Sequence, residues 1–248
     1  VKDITIKDDI VWIASGGVNA TFSPLLRSDG VFKLENNQWS VINQFETDGI
    51  KGEPLWDFLQ VLPHPIEDKV FAAAFVEGLL EIGADDFTIY DDSNSSLNNA
   101  VGDATRTRVS GIAFDETNSL WVSNYIAERP ISVFKNDGTW QSFSTGGSCL
   151  NETQLTQVVV DQNGYKWFVD ISSNAGLLVL DTGEDLNRTN DDRCKLFTAS
   201  NSELPTNRVN AIEIDLDGDI WVATTEGVAV FQCFDAFDQN CDFFIPKT

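Results

Sequence analysis

The sequence predicts an all-β protein, a β-propeller of four-stranded antiparallel blades, and three observations support this fold class. The chain of 248 residues repeats a pattern of four short strands five times, and no stretch shows helical periodicity. Each copy has a large aromatic residue at the same place in its second strand. Repeats of roughly 40 to 50 residues are typical of propeller blades. The five aromatic residues are Trp12, Phe71, Trp121, Trp167 and Trp221.

The first strand of each copy is an alternating apolar segment that leads into a tight turn. The clearest turns run from 161 to 167 and from 215 to 221, and each begins with Asp and contains a Gly. An Asp side chain accepts backbone N–H groups at the start of a turn, and Gly adopts the positive φ that other residues resist. These segments therefore predict hairpins. The predicted first strands are 1–6, 57–62, 109–114, 155–160 and 209–214.

The third and fourth strands complete each blade. The third begins after a small or rigid residue, and the fourth is shorter and more polar, as an outer edge strand should be. Because a blade cannot bury both faces alone, each second-strand aromatic is expected to pack against a neighbouring blade and not to form a ligand site. One propeller domain, 1–248, is predicted. Its expected blades are 1–46, 55–92, 107–145, 153–199 and 207–245.

The two ends of the chain raise a question about ring closure. The chain begins at a first strand and ends at a fourth, without an additional strand to close the ring. Either five blades close unaided or these blades belong to a larger ring, and we expect the second arrangement. The sequence has no Met, and Val1 already lies in a strand pattern, so we expect it to be part of a longer protein.

Charge and hydropathy exclude several classes of partner. The 16 Lys and Arg against 39 Asp and Glu give a formal net charge of −23, which repels nucleic acid phosphates and anionic lipid surfaces. No stretch approaches the roughly 18 apolar residues of a membrane-spanning helix. We therefore expect no nucleic acid partner and no membrane span in this chain.

The four cysteines permit two disulfides with three possible pairings. Cys233 and Cys241 flank the last turn, and we favour a bond between them that staples one hairpin. Cys149 and Cys194 would then form the second disulfide. None of the spacings suits a zinc site.

The only histidine offers little for catalysis. His64 lies in a predicted turn between two prolines, where we expect a surface residue. One histidine excludes a multi-histidine metal site, and a Ser-His-Asp arrangement would require a serine to meet this turn. Paired carboxylates of the glycosidase type are possible among 39 acidic residues, but no motif selects a pair. The sequence therefore indicates no catalytic residue and no cofactor.

One acidic run imitates a calcium loop. Its residues have the spacing of EF-hand ligands, but its Gly comes too early and a strand follows where the loop should still enclose the ion. We interpret the run as a hairpin turn, with a weakly bound Ca²⁺ as the alternative. Asp-box propellers are excluded because Leu216 and Gln162 stand where that motif needs Asp. The residues of the run are Asp215, Asp217, Asp219 and Glu226.

Basic residues are scarce, so their positions are informative. In a propeller the fourth-to-first connections and the second-to-third loops emerge on one face, beside the mouth of the central channel. Arginine side chains next to aromatic rings there would suit an anionic or sugar ligand, although ordinary solvated arginines are the alternative. The candidate residues of this rim are Trp56, Arg106, Arg108, Tyr125, Arg129 and Arg208.

Residues 202–231 carry a motif that resembles a known repeat. They contain a Leu-Pro connection, an alternating strand, the turn Asp-x-x-Gly-x-x-Trp-Val and a Gly-Val strand. This order is similar to the two-component-regulator propeller repeat, which is common in periplasmic sensor regions of hybrid histidine kinases and in PorZ proteins of the type IX secretion system. Segments 176–181 and 227–241 resemble the PorZ type in particular. The resemblance covers residues 109–245 and is weaker in the first two blades.

The resemblance implies a non-enzymatic binding and scaffold propeller. A PorZ-like protein would belong to a bacterial cell-envelope complex, in the periplasm or at the cell surface, with protein partners of type IX secretion and recognition of anionic lipopolysaccharide. No ligand residue can be transferred to this sequence, because the repeat specifies a fold and not an activity. The alternatives are a periplasmic glycan-sensing propeller of a hybrid histidine kinase and a propeller lyase or glycosidase.

Overall fold

The computed structural model describes residues 1–144, 154–172, 175–183, 185–188 and 190–246. The regular structure in these ranges consists of five four-stranded antiparallel sheets and one two-stranded sheet. Neighbouring strands of each four-stranded sheet follow chain order, so each sheet is a meander and corresponds to one expected blade. The all-β fold class and the four-stranded repeat are confirmed.

The blades are numbered one to five along the chain. Blade one contains β1 (Asp3–Lys7), β2 (Ile10–Ala14), β3 (Val31–Glu35) and β4 (Gln38–Ile42). Blade two contains β5 (Phe58–Pro63), β6 (Val70–Ala74), β7 (Gly78–Ile82) and β8 (Phe87–Tyr90). The small sheet contains β9 (Asn99–Ala100) and β10 (Asp103–Thr107).

The last three blades follow the same plan. Blade three contains β11 (Val109–Phe114), β12 (Leu120–Asn124), β13 (Ile131–Phe134) and β14 (Trp140–Phe143). Blade four contains β15 (Leu155–Val160), β16 (Lys166–Asp170), β17 (Gly176–Asp181) and β18 (Arg193–Phe197). Blade five contains β19 (Val209–Ile214), β20 (Ile220–Thr224), β21 (Gly227–Phe231) and β22 (Phe243–Phe244).

The observed strands differ from the expected ones at several positions. The first strands of blades three, four and five have the expected bounds, whereas β1 and β5 begin later than expected, at Asp3 and Phe58. The last strand, β22, has only two residues. The hairpin of β9 and β10 is additional, because its polar segment 103–107 lacks the apolar alternation by which strands are recognised.

The hairpin turns use Asp in the expected way and add a contact with the following aromatic. One oxygen of Asp161 accepts the amides of Asn163 and Tyr165, and the other accepts the indole N–H of Trp167 at 2.8 Å. The pairs Asp115–Trp121 and Asp215–Trp221 repeat this geometry at 2.8 and 2.7 Å. Each carboxylate thus joins the turn to the second strand of its own blade.

Successive blades pack face to face through the second-strand aromatics. In each interface, the aromatic face of one blade contacts the opposite face of the next blade, and the two faces share a core cluster. Four of the five aromatics therefore pack as expected. The second-strand aromatic and the first-strand residue of the next blade that share a cluster are Trp12 and Val61, Phe71 and Ile112, Trp121 and Val158, and Trp167 and Ile212.

Trp221 departs from this rule, and the expectation that it packs against a neighbouring blade is wrong. Its side chain is 43% exposed and it belongs to none of the core clusters in the described ranges. The reason is that no sheet formed by the described residues covers the aromatic face of blade five.

Side chains of the first strands add polar links between blades. The Gln60 side chain accepts the amide of Ile112 at 2.8 Å, and the Gln157 side chain accepts the amide of Ile212 at 3.0 Å and donates to its carbonyl at 2.7 Å. Asp3 accepts the amide of Val61 at 3.0 Å. First strands of all five blades also line one cavity of about 260 Å³, so they surround a common centre.

The disulfide expected in the last hairpin is present. Cys233 and Cys241 are bonded, with their Cα atoms 6.0 Å apart, and they connect β21 to β22. Cys194 is also disulfide-bonded. Cys149 lies outside the described residues. No helix in the described part of the chain is long and apolar enough to cross a membrane.

Candidate functional site

A cavity of about 790 Å³ opens at the face where the fourth-to-first connections and the second-to-third loops emerge. Three blades and the insert of blade one, residues 15–30, contribute to its wall, which combines aromatic rings with amide and hydroxyl groups. We call this space the mouth cavity. Its wall includes Phe22, Tyr125, Gln154, Asp170, Asn207 and Arg208.

Three aromatic rings form a cluster at the cavity wall. Phe22 lies 5.3 Å from Phe75 and 4.8 Å from Tyr125, and Phe75 lies 5.4 Å from Tyr125, measured between ring centroids. Phe75 is in the second-to-third loop of blade two and Tyr125 is in that of blade three. The cluster therefore joins the insert of blade one to two other blades.

The insert that carries Phe22 is held by a buried aspartate. Asp57 is fully buried, and its two carboxylate oxygens accept the amides of Leu26 at 2.7 Å and Arg27 at 3.1 Å. Gly16 permits the close approach of the chain, because a Cβ atom there would lie 2.2 Å from the carbonyl carbon of Asp57. The insert is thus attached to the start of blade two.

The remaining wall of the mouth cavity is polar and mostly neutral. The side-chain oxygen of Gln154 accepts a hydrogen bond from the Tyr125 hydroxyl at 3.4 Å, and that of Asn207 accepts one from the amide of Ala199 at 2.6 Å. The one carboxylate in the described wall, Asp170, is fully buried and accepts the amide and the hydroxyl of Ser172 at 2.9 and 2.8 Å. Amide and hydroxyl groups of this kind can hydrogen-bond the hydroxyls of a sugar.

Arg208 supplies the positive charge of the mouth cavity. Its backbone carbonyl accepts the amide of Thr225 at 3.1 Å, which places the residue at the entrance to β19. Its side chain is exposed and forms no ion pair with any carboxylate in the described ranges. The guanidinium is therefore available for an anionic group.

No family model matches the chain, and no curated protein matches it. The structure of PorZ, an essential bacterial surface component of the type IX secretion system of Porphyromonas gingivalis, matches with a TM-score of 0.77 and 19% identity, over 92% of this chain and 32% of that one. The fold is a β-propeller.

Two other types of propeller also match. The extracellular domain of a putative hybrid two-component system from B. thetaiotaomicron has a TM-score of 0.65 and 18% identity, over 94% of this chain and 28% of that one. A streptogramin B lyase has a TM-score of 0.65 and 13% identity, over 99% of this chain and 69% of that one. The chain thus spans about a third of the length of PorZ and of the two-component structure. The fold resemblance inferred from the repeat is confirmed.

Two predicted rim residues, Tyr125 and Arg208, line the mouth cavity of this propeller. Arg106 and Arg108 lie nearby but share one carboxylate, Asp103, at 3.5 and 3.4 Å. The guanidinium of Arg108 also lies over the ring of Phe75, 5.7 Å from its centroid, so it packs against the aromatic cluster. Hydrogen bonds from Thr105 and then these arginines lower the pKa of Asp103.

The other two rim candidates lie outside the wall of the mouth cavity. Arg129 is exposed, and its guanidinium donates to the hydroxyl of Ser142 at 3.4 Å. Trp56 is half-buried, with its indole against the side-chain amide of Gln44. The two residues therefore do not extend the positive or aromatic part of this cavity.

Glu77 is an acidic residue on the same face of the propeller as the mouth cavity. The pKa of Glu77 is raised to about 7, mainly by burial and then by the carboxylates of Asp91, Glu53 and Asp92, while Arg106 opposes the shift. Glu77 is in the second-to-third loop of blade two and pairs with Thr107 of β10. Sequence patterns could not select this residue, because 39 acidic residues carry no motif.

His64 is not the surface residue that the sequence predicts. It is 5% exposed, its Nδ1 accepts the amides of Ile66 and Glu67 at 3.3 and 2.9 Å, and its ring packs edge-on against Phe114 at 4.8 Å. Burial is the main reason that its pKa is lowered. The histidine therefore has a structural role in the turn, since a packed ring and an occupied Nδ1 leave it poorly placed for a triad.

The acidic run of blade five forms a hairpin turn, as interpreted. Asp215 accepts the amides of Asp217 and Asp219, both at 3.0 Å, in addition to the indole of Trp221. Asp219 accepts the side-chain amide of Gln232 at 2.6 Å. Within the described ranges, no group of three or more Asp, Glu, His or Cys residues has an arrangement that could hold a metal ion. These carboxylates serve the turn.

Proposed function

We propose that this propeller is a non-enzymatic binding and scaffold module of a bacterial cell-envelope complex, and that its mouth cavity binds an anionic sugar. The observation that carries the proposal is that Arg208, which forms no ion pair among the described residues, lines the same cavity as the ring of Tyr125. An arginine fork binds phosphate and carboxylate groups in a bidentate manner, and an aromatic face suits the apolar face of a sugar ring.

The net charge of the molecule makes this arginine unusual. A formal charge of −23 repels anions at long range, so an anionic ligand needs direct contact with a cation in a partly desolvated site. The mouth cavity offers that contact, and the amides of Gln154 and Asn207 add neutral polar groups in the same wall. A cavity with a few convergent polar groups in a largely formed wall is typical of a small-ligand site.

The described wall favours binding over hydrolysis. A glycosidase of the usual type needs two carboxylates on either side of the scissile bond. The described wall contains one, Asp170, and both of its oxygens are used by Ser172. This arrangement supports the non-enzymatic proposal, and turnover of an anionic glycan that depends on one Asp or Glu would contradict it.

The envelope location and the partners belong to the same proposal. The fold is shared with a surface component of type IX secretion, and the disulfide between Cys233 and Cys241 suits an oxidising compartment. Partners would be proteins of an envelope or secretion complex, and lipopolysaccharide would be the anionic glycan. A glycan-sensing propeller of a hybrid histidine kinase is the second candidate, supported by the match to a two-component extracellular domain.

Calorimetric titration with lipopolysaccharide-derived polysaccharide, with and without its phosphate groups, tests the proposal. We expect Arg208→Ala to weaken binding of the phosphorylated form by about tenfold or more, equivalent to one lost charge-assisted hydrogen-bonded pair. Arg208→Lys keeps the charge but loses the fork, so it should restore binding only in part.

Two controls make this test specific. Arg129→Ala removes an exposed arginine outside the cavity wall and should leave affinity unchanged. Replacing Arg106 and Arg108 together should have a smaller effect than Arg208→Ala, because Asp103 already neutralises them in part. Equal binding by wild type and Arg208→Ala would disprove the anionic-sugar proposal.

A further inference from the structure

A smaller cavity lies between blades two and three, on the face of the propeller opposite the mouth cavity. It is formed by the first-to-second turns of both blades and by the third-to-fourth turn of blade three. Its volume is about 80 Å³, which is room for roughly five water molecules. We call it the lower cavity. Its wall includes His64, Phe71, Phe114, Asn118, Phe134 and Lys135.

One side of the lower cavity is aromatic. The ring of Phe71 lies 5.8 Å from that of Phe114 and 6.2 Å from that of Phe134, measured between centroids. Phe71 is 1% exposed and belongs to the core between the two blades, whereas Phe114 and Phe134 are only half-buried. Phe114 and Phe134 therefore offer accessible apolar surface, and its burial favours a ligand with an alkyl group over a purely polar one.

His64 directs a hydrogen-bond donor into the lower cavity. Its Nδ1 accepts the amides of Ile66 and Glu67, so the neutral ring carries its proton on Nε2. Burial is the main cause of its lowered pKa, which keeps the ring neutral near neutral pH. Although His64 is only 5% exposed, Nε2 has no hydrogen-bond partner among the described residues and is not sealed from the cavity. A buried ring with an unpartnered N–H suits a ligand that supplies an acceptor, because an unmade hydrogen bond costs free energy.

Lys135 supplies the positive charge of the lower cavity. It forms no ion pair among the described residues, and its ammonium donates to the side chain of Asn187 at 3.2 Å, which leaves its other N–H groups for a ligand. The second lysine of the wall, Lys69, is already neutralised, because it pairs with Glu67 at 3.2 Å and with Glu81 at 3.1 Å. The described wall thus presents one ammonium that a carboxylate can approach.

Side-chain amides complete the polar part of this wall. Asn118 and Asn136 lie in the two adjoining turns of blade three, and their side chains form no hydrogen bond within the described part of the chain. Glu67 is the only carboxylate of the described wall, and it is paired with Lys69. The wall therefore offers an imidazole N–H, an ammonium and two amides, a set of donors that suits a ligand with two acceptor oxygens.

We propose that the lower cavity binds a small carboxylate that carries a short alkyl group. The carboxylate oxygens accept the Nε2–H of His64 and lie near the ammonium of Lys135, and the alkyl group packs on Phe114 and Phe134. A free short-chain organic acid and the C-terminal carboxylate of a polypeptide share this chemistry. The site lies within one interface of the described blades, so it is independent of the mouth cavity and of the sugar proposal.

Nuclear magnetic resonance with the whole 248-residue chain tests the proposal, because His64 is the only histidine and its ring signals are therefore unambiguous. Sodium propionate is the probe, since its size matches the cavity. We expect a saturable shift of the Nε2 and Cε1–H signals, with a dissociation constant in the millimolar range that a ligand of this size can reach. Propionamide has nearly the same shape without the charge, and it should bind at least about fivefold more weakly.

Single substitutions test the two residues that contact the carboxylate. His64→Asn offers an oxygen to the turn amides in place of Nδ1 but has no Nε2–H, so propionate should bind about tenfold more weakly, measured by saturation transfer to the propionate signals. Lys135→Gln should weaken propionate binding by about fivefold and leave propionamide binding unchanged, since only the charged ligand uses the ammonium. Lys51→Gln, at an exposed position outside the cavity wall, is the matched control and should bind as wild type does.

Two peptides identify the source of the carboxylate. The tripeptide Gly-Gly-Ala is titrated with a free C-terminus and, separately, with an amidated one. Tighter binding of the free-acid peptide than of propionate would assign the cavity to the C-terminus of a polypeptide. Binding of propionate without binding of either peptide would assign it to a free organic acid.

Other outcomes would contradict the proposal. The absence of a saturable shift at every propionate concentration that leaves the protein folded would show that the cavity holds only water. Equal binding of propionate and propionamide by wild type would mean that the site does not recognise a carboxylate. Equal binding by wild type and His64→Asn would place the ligand elsewhere. Because the comparison with propionamide uses wild-type protein, it is decisive even where a variant does not fold.

Discussion

At the scale of single residues, the recurrent hydrogen bond between an Asp and the Trp six residues later shows how one side chain shapes a blade. The carboxylate uses one oxygen for the turn amides and the other for the indole, so it determines both the hairpin geometry and the position of the aromatic. The sequence predicts the first role, because Asp begins the clearest turns, at 161 and 215. The second role needs the three-dimensional path of the turn and was not apparent from spacing.

The Asp–Trp bond leads to a test by amide substitution. The side chain of Asp161→Asn has only one oxygen. If that oxygen accepts the turn amides, the NH₂ group faces the indole and the buried indole N–H loses its acceptor. If the oxygen accepts the indole instead, the turn amides lose theirs. We expect a loss of about 1 to 3 kcal/mol in the free energy of unfolding, measured by urea denaturation. Asp215→Asn is the control, because Trp221 is solvent-exposed and should lose less. Equal losses would mean that the indole bond contributes little.

A buried lysine provides a second test, through pH. Lys166 is 6% exposed and donates to the hydroxyl of Thr182 at 2.7 Å, and burial lowers its pKa from 10.5 to about 8. Between these pH values the unfolded chain binds more protons than the folded one, so this lysine makes stability rise with pH over that window. The stability gained when Lys166 loses its proton is complete above the pKa of the unfolded state. It is lost as the pH falls through the pKa of the folded state.

Replacement of this lysine should remove that pH dependence. The difference in unfolding free energy between wild type and Lys166→Met should change steadily from pH 8 to pH 10.5 in favour of wild type. Denaturant titrations at several pH values measure it, and Lys51→Met, at an exposed position, is the control. A constant difference across this window would show that the amine titrates normally in the folded protein.

At the scale of elements, alternation and turn chemistry predicted most strands but failed where tertiary contacts decide the structure. The first strands of the last three blades were predicted to the residue. The hairpin of β9 and β10 was missed because its residues are polar and pair over only a short ladder. For the candidate site, the loop face and its residues Tyr125 and Arg208 were predicted, whereas Phe22 was not, since the insert of blade one carries no repeat pattern.

The last hairpin combines a very short ladder with a disulfide. β22 pairs only two residues with β21, and Cys233 and Cys241 close a loop with a sequence separation of 8. In the chain-entropy description a loop of this length stabilises by about 2.5 kcal/mol. We expect the double change Cys233→Ser and Cys241→Ser to release β22 while the inner strands of blade five persist.

Hydrogen exchange measures that local loss. Amides of Phe243 and Phe244 should exchange faster in the double variant, while protection in β19 and β20 is retained. Uniform loss of protection across blades four and five would instead show that the outer strand is required for the whole unit, since Phe243 belongs to their shared core cluster.

At the scale of the whole molecule, the net charge of −23 opposes compactness. Repulsion between carboxylates is screened by salt, so the melting temperature should rise when NaCl is increased from about 20 mM to about 300 mM. Differential scanning fluorimetry measures the shift, at low protein concentration so that assembly does not contribute. An unchanged or lower melting temperature would mean that local ion pairs, such as that of Arg193 and Asp181, outweigh the overall repulsion.

The insert of blade one connects its own blade to blade three. It leaves the inner part of one blade, is tied at Asp57, and brings Phe22 against Tyr125 from a blade two positions away. Because the insert connects two separate blades, the width of the mouth cavity depends on the insert as well as on the packing between sheets. A single proteolytic cut between Asn19 and Ser23 would leave all four blade interfaces intact and yet take away one wall of the ligand space.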